Sequence, residues 1–232
     1  MKLRISAWRW LGAAAALACS SLFAQTKELT FAYQDMLVPL RTLIESGELE
    51  KSTGYKINWH QFGGGGDVIR AMASGDVQIG EAGSHYQLLV GLKLEGIDAK
   101  DVNVVNLRPP EIAAAWERGD IDATFIWDPA LTKAKSNGKV IASSASIGRR
   151  GYPTFDGLVV NAKWAAEHEG FLVALVKALA KADANYRNNA PKWNADSAPI
   201  KAIAKWSKAD PKDVPAAIAL YRFPTLQQQL SA

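Results

Sequence analysis

Hydrophobic positions along the chain follow two patterns that alternate from residue 29 onward. Short runs of clustered or alternating apolar residues predict β-strands, and longer runs with apolar residues three or four positions apart predict helices. The predicted strands cover residues 29–33, 55–62, 77–80, 102–107, 121–127, 140–143 and 157–161. Strands and helices in alternation are typical of parallel sheets flanked by helices, so we predict an α/β fold.

Predicted helices occupy most intervals between these strands, and the last quarter of the chain is mainly helical. Pro39 suits the first turn of one helix, while Gly47, Gly75 and Gly96 are natural helix stops. The other predicted helices cover residues 68–73, 86–94, 111–118, 129–135, 171–189, 197–205 and 213–220. In such folds ligands bind at the carboxyl ends of the strands.

Four consecutive glycines, residues 63–66, separate a predicted strand from a predicted helix. A helix that begins after such a loop directs unpaired N–H groups and the positive end of its dipole at the loop, which favours a bound anion. We expect Asp67 to cap this helix. The loop is neither a Walker A sequence nor a convincing dinucleotide fingerprint. A flexible turn is the alternative interpretation, but the flanking strand and helix favour an anion cradle.

Three further positions could contribute to a site at the same strand ends. Ser84 follows Gly83 after a predicted strand, Trp127 ends another strand, and Asp156 precedes a third. Ser84 could add a hydroxyl group to the anion site, with a plain turn as the alternative. Trp127 is either core packing or a wall of the site. Asp156 is either a turn residue or the partner of an ammonium group.

The N-terminus has the pattern of a secretory signal peptide, which we predict over residues 1–24. Lys2, Arg4 and Arg9 precede an apolar, alanine-rich run, and Ala24 can sit just before the cleavage point. We therefore expect the mature chain to be exported in soluble form. The alternative is a lipoprotein anchored at Cys19, which is the only cysteine of the chain.

Composition excludes several other functions. The chain has 232 residues, of which 48% are hydrophobic and 22% charged, as in an ordinary globular protein. Removing the predicted signal peptide changes the balance from 27 basic and 23 acidic residues to 24 and 23, which gives no support for nucleic-acid binding. The three histidines have no metal-ligand spacing. We predict no cofactor, no metal site and no catalytic residues.

Long runs of the chain resemble the periplasmic taurine- and alkanesulfonate-binding proteins of ABC importers, the taurine-binding group above all. These runs are FAYQ at 31–34, ASGDVQIGEAGS at 73–84, VVNLRPPEIAAAWERGDIDATFIWDPAL at 104–131 and PTFDGLVV at 153–160. The resemblance implies the type II periplasmic-binding-protein architecture, with two α/β lobes that close on ligand at a hinge. It implies a non-enzymatic monomer that captures taurine and delivers it to a membrane permease with its ATPase.

The resemblance also implies lobes and a ligand site. Residues 25–84 would form the first lobe, residues 85–157 the second, and residues 158–232 a mainly helical return to the first. The sulfonate would lie near Gly64, Gly65 and Ser84, and the ammonium group near Asp156. Trp127 would be a wall, with Gln34 near the cleft. A plain alkanesulfonate, nitrate or another small anion is the alternative ligand.

Two departures from the family pattern bear on the fold. Ser84 is followed directly by His85, where the family has a further strand–helix–strand block that includes the first strand of the second lobe. The family also has a longer C-terminal segment. Loss of a central strand leaves its neighbours with unpaired backbone groups and exposed apolar edges. The chain therefore either rearranges or is a deletion variant with impaired binding.

Overall fold

The computed structural model describes residues 27–83 and 86–231. Its centre is a sheet of four strands: β1 (Glu28–Tyr33), β2 (Lys56–Gln61), β3 (Ile79–Gly83) and β4 (Asp156–Val160). The strand order is β2-β1-β3-β4, with β1 parallel to both β2 and β3 and with β4 antiparallel to β3. The carboxyl ends of β1, β2 and β3 therefore meet the amino end of β4 at one edge of the sheet.

Helices surround this sheet and form most of the rest of the described chain. They are α1 (Leu40–Ser46), α2 (Glu48–Thr53), α3 (Gly65–Ser74), α4 (Gln87–Leu94), α5 (Pro109–Arg118), α6 (Ala130–Lys135), α7 (Ser144–Arg149), α8 (Ala162–Glu167), α9 (Glu169–Asn189), α10 (Ala198–Ser207), α11 (Val214–Ile218) and α12 (Leu226–Leu230). Gly47 and Gly75 end α1 and α3 in the left-handed conformation, as predicted.

The core lies around β1, which is buried on both faces because it is an interior strand with helices on either side. Leu29, Phe31 and Tyr33 face a large apolar cluster that includes side chains of α1, β2 and α9. Ala32 faces the smaller cluster under α3, where Val68 is fully buried. A Cβ atom at Gly80 would lie 2.5 Å from Val68 Cγ1, so α3 packs directly on the β3 backbone.

Three of the predicted strands are wrong. Residues 102–107, 121–127 and 140–143 form no β-ladder. A strand exists only through hydrogen bonds to a neighbour, so an apolar sequence alone cannot make one. Two of these segments are rich in valine and isoleucine, and their side chains are exposed. Val104, Val105 and Ile141 are 48%, 55% and 87% exposed. The predicted exposure of apolar edges is thus confirmed.

Sheet number also differs from the prediction. We predicted more than one mostly parallel sheet, whereas the described residues contain a single mixed sheet. The segment between β3 and β4 is held instead by small helical contacts, α5 against α6 and α4 against α7. Among its buried residues, the apolar ones are mostly alanines: Ala113, Ala115, Ala130, Ala134 and Ile147.

Two predictions fall on residues that the structure does not describe. The predicted signal peptide at 1–24 and the junction between Ser84 and His85 both lie outside the described residues. Within residues 27–83 and 86–231, every helix is too short or too polar to cross a membrane.

Candidate functional site

The predicted site residues collect at the edge of the sheet where the carboxyl ends of the parallel strands lie. Gln34 directly follows β1, and Asp156 begins β4 opposite Gly83, the last residue of β3. Ser84 itself lies outside the described residues. A Cβ atom at Gly83 would overlap the Asp156 carboxylate, so a larger residue there would displace the Asp156 side chain.

Gln34 is buried and is held by β3. Its backbone N–H donates to Glu81 Oε2 at 3.0 Å, and its side-chain Nε2 donates to the Glu81 carbonyl at 3.1 Å. The backbone carbonyl of Gln34 accepts a hydrogen bond from Arg41 Nη2 at 2.8 Å. Gln34 therefore fixes the turn that follows β1, and a direct contact between Gln34 and a ligand stays a prediction.

Arg41 and Glu81 form a buried ion pair beneath this turn. Arg41 Nη2 lies 2.8 Å from Glu81 Oε2, and the two side chains are 0% and 6% exposed. The guanidinium also lies over the ring of Tyr33, 4.7 Å from its centroid. Sequence analysis missed the pair, because an arginine on a helix is normally a solvent-facing residue.

Asp35 links the end of β1 to Trp127. The indole Nε1 of Trp127 donates to Asp35 Oδ1 at 3.0 Å, although the two residues are 92 positions apart. Burial raises the pKa of the Asp35 carboxyl, and the indole hydrogen bond partly offsets that effect. Trp127 packs against the main core as well, so it is both a core residue and a wall beside Asp35. Asp35 was not predicted as a site residue.

Asp156 belongs to a group of acidic residues at the same edge. Burial raises the pKa of Tyr221, and the nearby carboxylates of Asp156, Glu81, Asp128 and Asp35 raise it further. The loop before Asp156 is anchored by the buried Gln87, whose Nε2 donates to the Tyr152 carbonyl at 2.7 Å. Four acidic residues therefore lie close enough to Tyr221 to act on its hydroxyl group, and Glu81 among them is paired with Arg41.

The glycine loop begins α3 earlier than predicted. Gly64 is the N-cap residue, and Gly65 and Gly66 lie in the first turn, where N–H groups have no intrahelical partner. The prediction that Asp67 caps the helix is therefore wrong. Asp67 lies within the first turn and forms ion pairs with Arg70 and with Arg108, whose Nε is 3.1 Å from Asp67 Oδ2.

Arg108 brings α5 over the glycine loop. It is the N-cap residue of α5, and its side chain lies so close to Gly63 that a Cβ atom there would be 3.1 Å from Arg108 Cδ. Next to this contact is a cavity of about 320 Å³. The ends of β1 and β2 form one wall, α5 and α6 form the other, and the end of α10 closes one side.

A sheet with parallel neighbours, flanked by helices and with a cleft at its strand ends, is the architecture of one lobe of a periplasmic binding protein. Solved structures agree. The alkanesulfonate-binding protein of Xanthomonas axonopodis pv. citri, solved bound to MOPS, matches with a TM-score of 0.71 at 20% identity over 84% of each chain. The periplasmic aliphatic sulphonate binding protein of Escherichia coli matches with a TM-score of 0.67 at 18% identity over 84% of each chain.

Sequence comparison identifies the family. Residues 74–204, more than half of the chain, match the NMT1-like family. The taurine-binding periplasmic protein of Escherichia coli (strain K12) is 31% identical over 268 residues, covering 93% of this chain and 84% of that protein. The putative aliphatic sulfonates-binding protein of Bacillus subtilis (strain 168) is 30% identical over 218 residues, covering 68% and 65% respectively. The chain belongs to the NMT1-like family.

These comparisons confirm the predicted periplasmic-binding-protein fold, of which the chain has a partial version. They also confirm that the chain is a binding protein and not an enzyme, because the relatives are binding proteins. The alignment to the taurine-binding relative spans 268 positions, whereas the chain has 232 residues. At least 36 positions of the relative, the difference between 268 and 232, therefore have no counterpart here.

Proposed function

We propose that this protein captures taurine in the periplasm and delivers it to the permease of an ABC importer, which is powered by its ATPase. The observation that carries the proposal is 31% identity over 93% of the chain to a protein named for taurine binding. The acidic residues around Asp156 support it, because taurine differs from a plain alkanesulfonate by its ammonium group.

The proposed binding mode uses both ends of taurine. The sulfonate accepts hydrogen bonds in three directions, and the N–H groups of the first turn of α3, near Gly64 and Gly65, supply neutral donors. Ser84 would add a hydroxyl group. The ammonium group would pair with Asp156, and Trp127 would pack against the carbon chain.

A plain alkanesulfonate is the second candidate ligand. It is favoured by the Bacillus subtilis relative and by the solved structures, which are named for aliphatic sulfonates. Taurine and ethanesulfonate are close in size, so the contrast between them reports on the ammonium group alone.

Isothermal titration calorimetry with taurine and ethanesulfonate tests the proposal. We expect Asp156→Ala to weaken taurine binding by about 10- to 100-fold, the range for a lost hydrogen bond to a charged group. Ethanesulfonate binding should change little. Asp196→Ala is a matched control, because Asp196 is an exposed aspartate that lies outside the site. Equal losses for both ligands, or none for taurine, would refute the ammonium role.

The alternative to the proposed function is a protein with impaired binding. It is favoured by the exposure of Val104, Val105 and Ile141 in the segment between β3 and β4. A thermal melt with taurine decides between a working and an impaired protein. A ligand that binds only the folded state must raise the melting temperature. At a ligand concentration 100 times the Kd, the free energy of unfolding increases by about 2.7 kcal/mol. A melt unshifted by millimolar taurine would contradict the proposed function.

Periplasmic location is part of the proposal and rests on the relatives and on the predicted signal peptide. Mass spectrometry of protein recovered from the periplasm tests it. Cleavage after Ala24 gives a soluble chain that begins at Gln25, whereas a lipoprotein would begin at a lipidated Cys19. Recovery of the uncleaved chain from the cytoplasm would overturn both alternatives.

A further inference from the structure

Two lysines from different segments of the chain line the cavity beside the glycine loop. Lys133 lies on α6, in the segment between β3 and β4, and Lys208 lies at the end of α10. Neither lysine belongs to an ion pair of the described residues. The one carboxylate in the lining is that of Asp35, which is already bonded to Trp127.

Charge in the cavity lining is therefore unbalanced. Gln61, Phe62 and the remaining lining residues are uncharged, so two lysines and one aspartate give the lining a net charge of +1. A single monoanionic acid group would neutralise this charge. The volume, about 320 Å³, is at the small end of ligand pockets, which begin at about 300 Å³. A compact acid fits these two conditions.

Lys208 has a backbone conformation that side chains normally avoid. It is the C-cap residue of α10 with φ 54°, and it is the non-glycine residue with positive φ among those described. Glycine is the usual residue at such a position, because a Cβ atom costs free energy there. The preceding Ser207 is buried and donates from Oγ to the Met36 carbonyl at 2.9 Å, which fixes the end of the helix. Strained residues of this kind cluster at ligand sites.

We propose that Lys133 and Lys208 bind the acid group of the ligand from the two sides of the cleft. This inference rests on the proposed function and adds two residues to it. The sulfonate then has cationic partners besides the neutral N–H groups of the glycine loop. Because the lysines come from different segments of the chain, a bound anion also joins α6 to the end of α10.

Lys208→Gly is the most informative test, because stability and binding should move in opposite directions. Glycine relieves the backbone strain, so the melting temperature should rise by about 2–4 °C. Removing the ammonium group should weaken ethanesulfonate and taurine binding by about 5- to 10-fold. A residue with a purely structural role cannot give that combination.

Lys133→Met should weaken both sulfonates by a similar factor, and Lys133→Arg should retain most of the affinity. Lys201→Met is the matched control, since Lys201 is an exposed lysine of α10 that does not line the cavity. Raising the salt concentration from about 0.02 M to about 0.5 M should weaken binding more in the unmodified protein than in the Lys133→Met, Lys208→Gly double variant.

The outcomes separate this inference from the proposed function. If the unmodified protein binds taurine or ethanesulfonate and both lysine variants retain full affinity, the lysine inference is overturned and the proposed function stands. If the unmodified protein binds neither sulfonate, both are overturned. Loss of affinity in Lys201→Met equal to that in Lys133→Met would also overturn the inference.

Discussion

Replacing Arg41 with methionine should destabilise the fold strongly, because Arg41 and Glu81 are a charge pair taken out of water. The side chains are 0% and 6% exposed and their charged atoms lie 2.8 Å apart. Arg41→Met leaves the Glu81 carboxylate buried without its cation and removes the donor to the Gln34 carbonyl. Removing one member of a buried pair costs about 3–5 kcal/mol.

Urea unfolding followed by circular dichroism measures this cost. The expected loss corresponds to a melting temperature about 6–20 °C lower, at about 2–4 °C per kcal/mol for a chain of this size. Glu81→Gln should be at least as harmful, because Arg41 Nε and Nη1 already lack a hydrogen-bond partner among the described residues. The double variant should cost at least about 2 kcal/mol less than the sum of the single variants.

A surface pair between α1 and α10 provides the control. Lys205 Nζ lies 2.7 Å from Glu45 Oε2, but the two side chains are 62% and 40% exposed. Lys205→Met should cost less than about 1 kcal/mol, the usual limit for solvated pairs. An Arg41→Met variant within about 1 kcal/mol of the unmodified protein, or strict additivity in the double variant, would refute the argument from burial.

Further predictions concern single residues elsewhere. Burial raises the pKa of Asp183 to about 6, so between about pH 4 and pH 6 the unfolded state loses a proton that the folded state keeps, and stability falls as the pH rises. Asp183→Asn should therefore stabilise the protein at pH 7 by about 1 kcal/mol, reduced from about 3 kcal/mol for partial solvation, and urea unfolding at pH 4 should show little gain. Gly80→Ala should cost about 1–3 kcal/mol, since the new Cβ meets Val68 at 2.5 Å, and an unchanged urea midpoint would contradict this packing. Ile141→Asn should change stability by less than about 0.5 kcal/mol and reduce light scattering of concentrated protein, because Ile141 is 87% exposed.

Local chemistry explains which elements the sequence could predict. The apolar run of β1, the glycine stops of α1 and α3, and the long α9 each depend on residues within one segment, and all three were found. The start of α3 was misplaced because glycines are poor helix formers, so Gly65 and Gly66 were expected to lie in the loop. Here the packing of Val68 against the sheet outweighs that preference.

Residues that act through distant partners could not be predicted. Asp35 matters because Trp127, 92 positions away, donates to it, and no spacing rule connects the two. The role of Arg41 could not be predicted for the same reason, because its partner Glu81 is 40 positions away. Trp127 and Asp156 were found from their positions at strand ends, whereas the family resemblance led to Gln34 but could not show that Gln34 is buried against β3.

The fate of the predicted strands separates sequence preference from ladder formation. Residues 104–105 and 140–141 are as β-branched as β4, yet only β4 is a strand. The difference is that β4 finds β3 beside it, with Ile79 opposite Val160 and Gly83 opposite Asp156. Residues 102–107 and 140–143 have no such neighbour among the described residues, and their apolar side chains stay exposed. The predicted absence of a strand after Ser84 would leave both segments without such a neighbour. It follows that supplying a neighbouring strand should convert both segments into β-strands, whereas changing their own sequences should not, and the strand content seen by circular dichroism measures this.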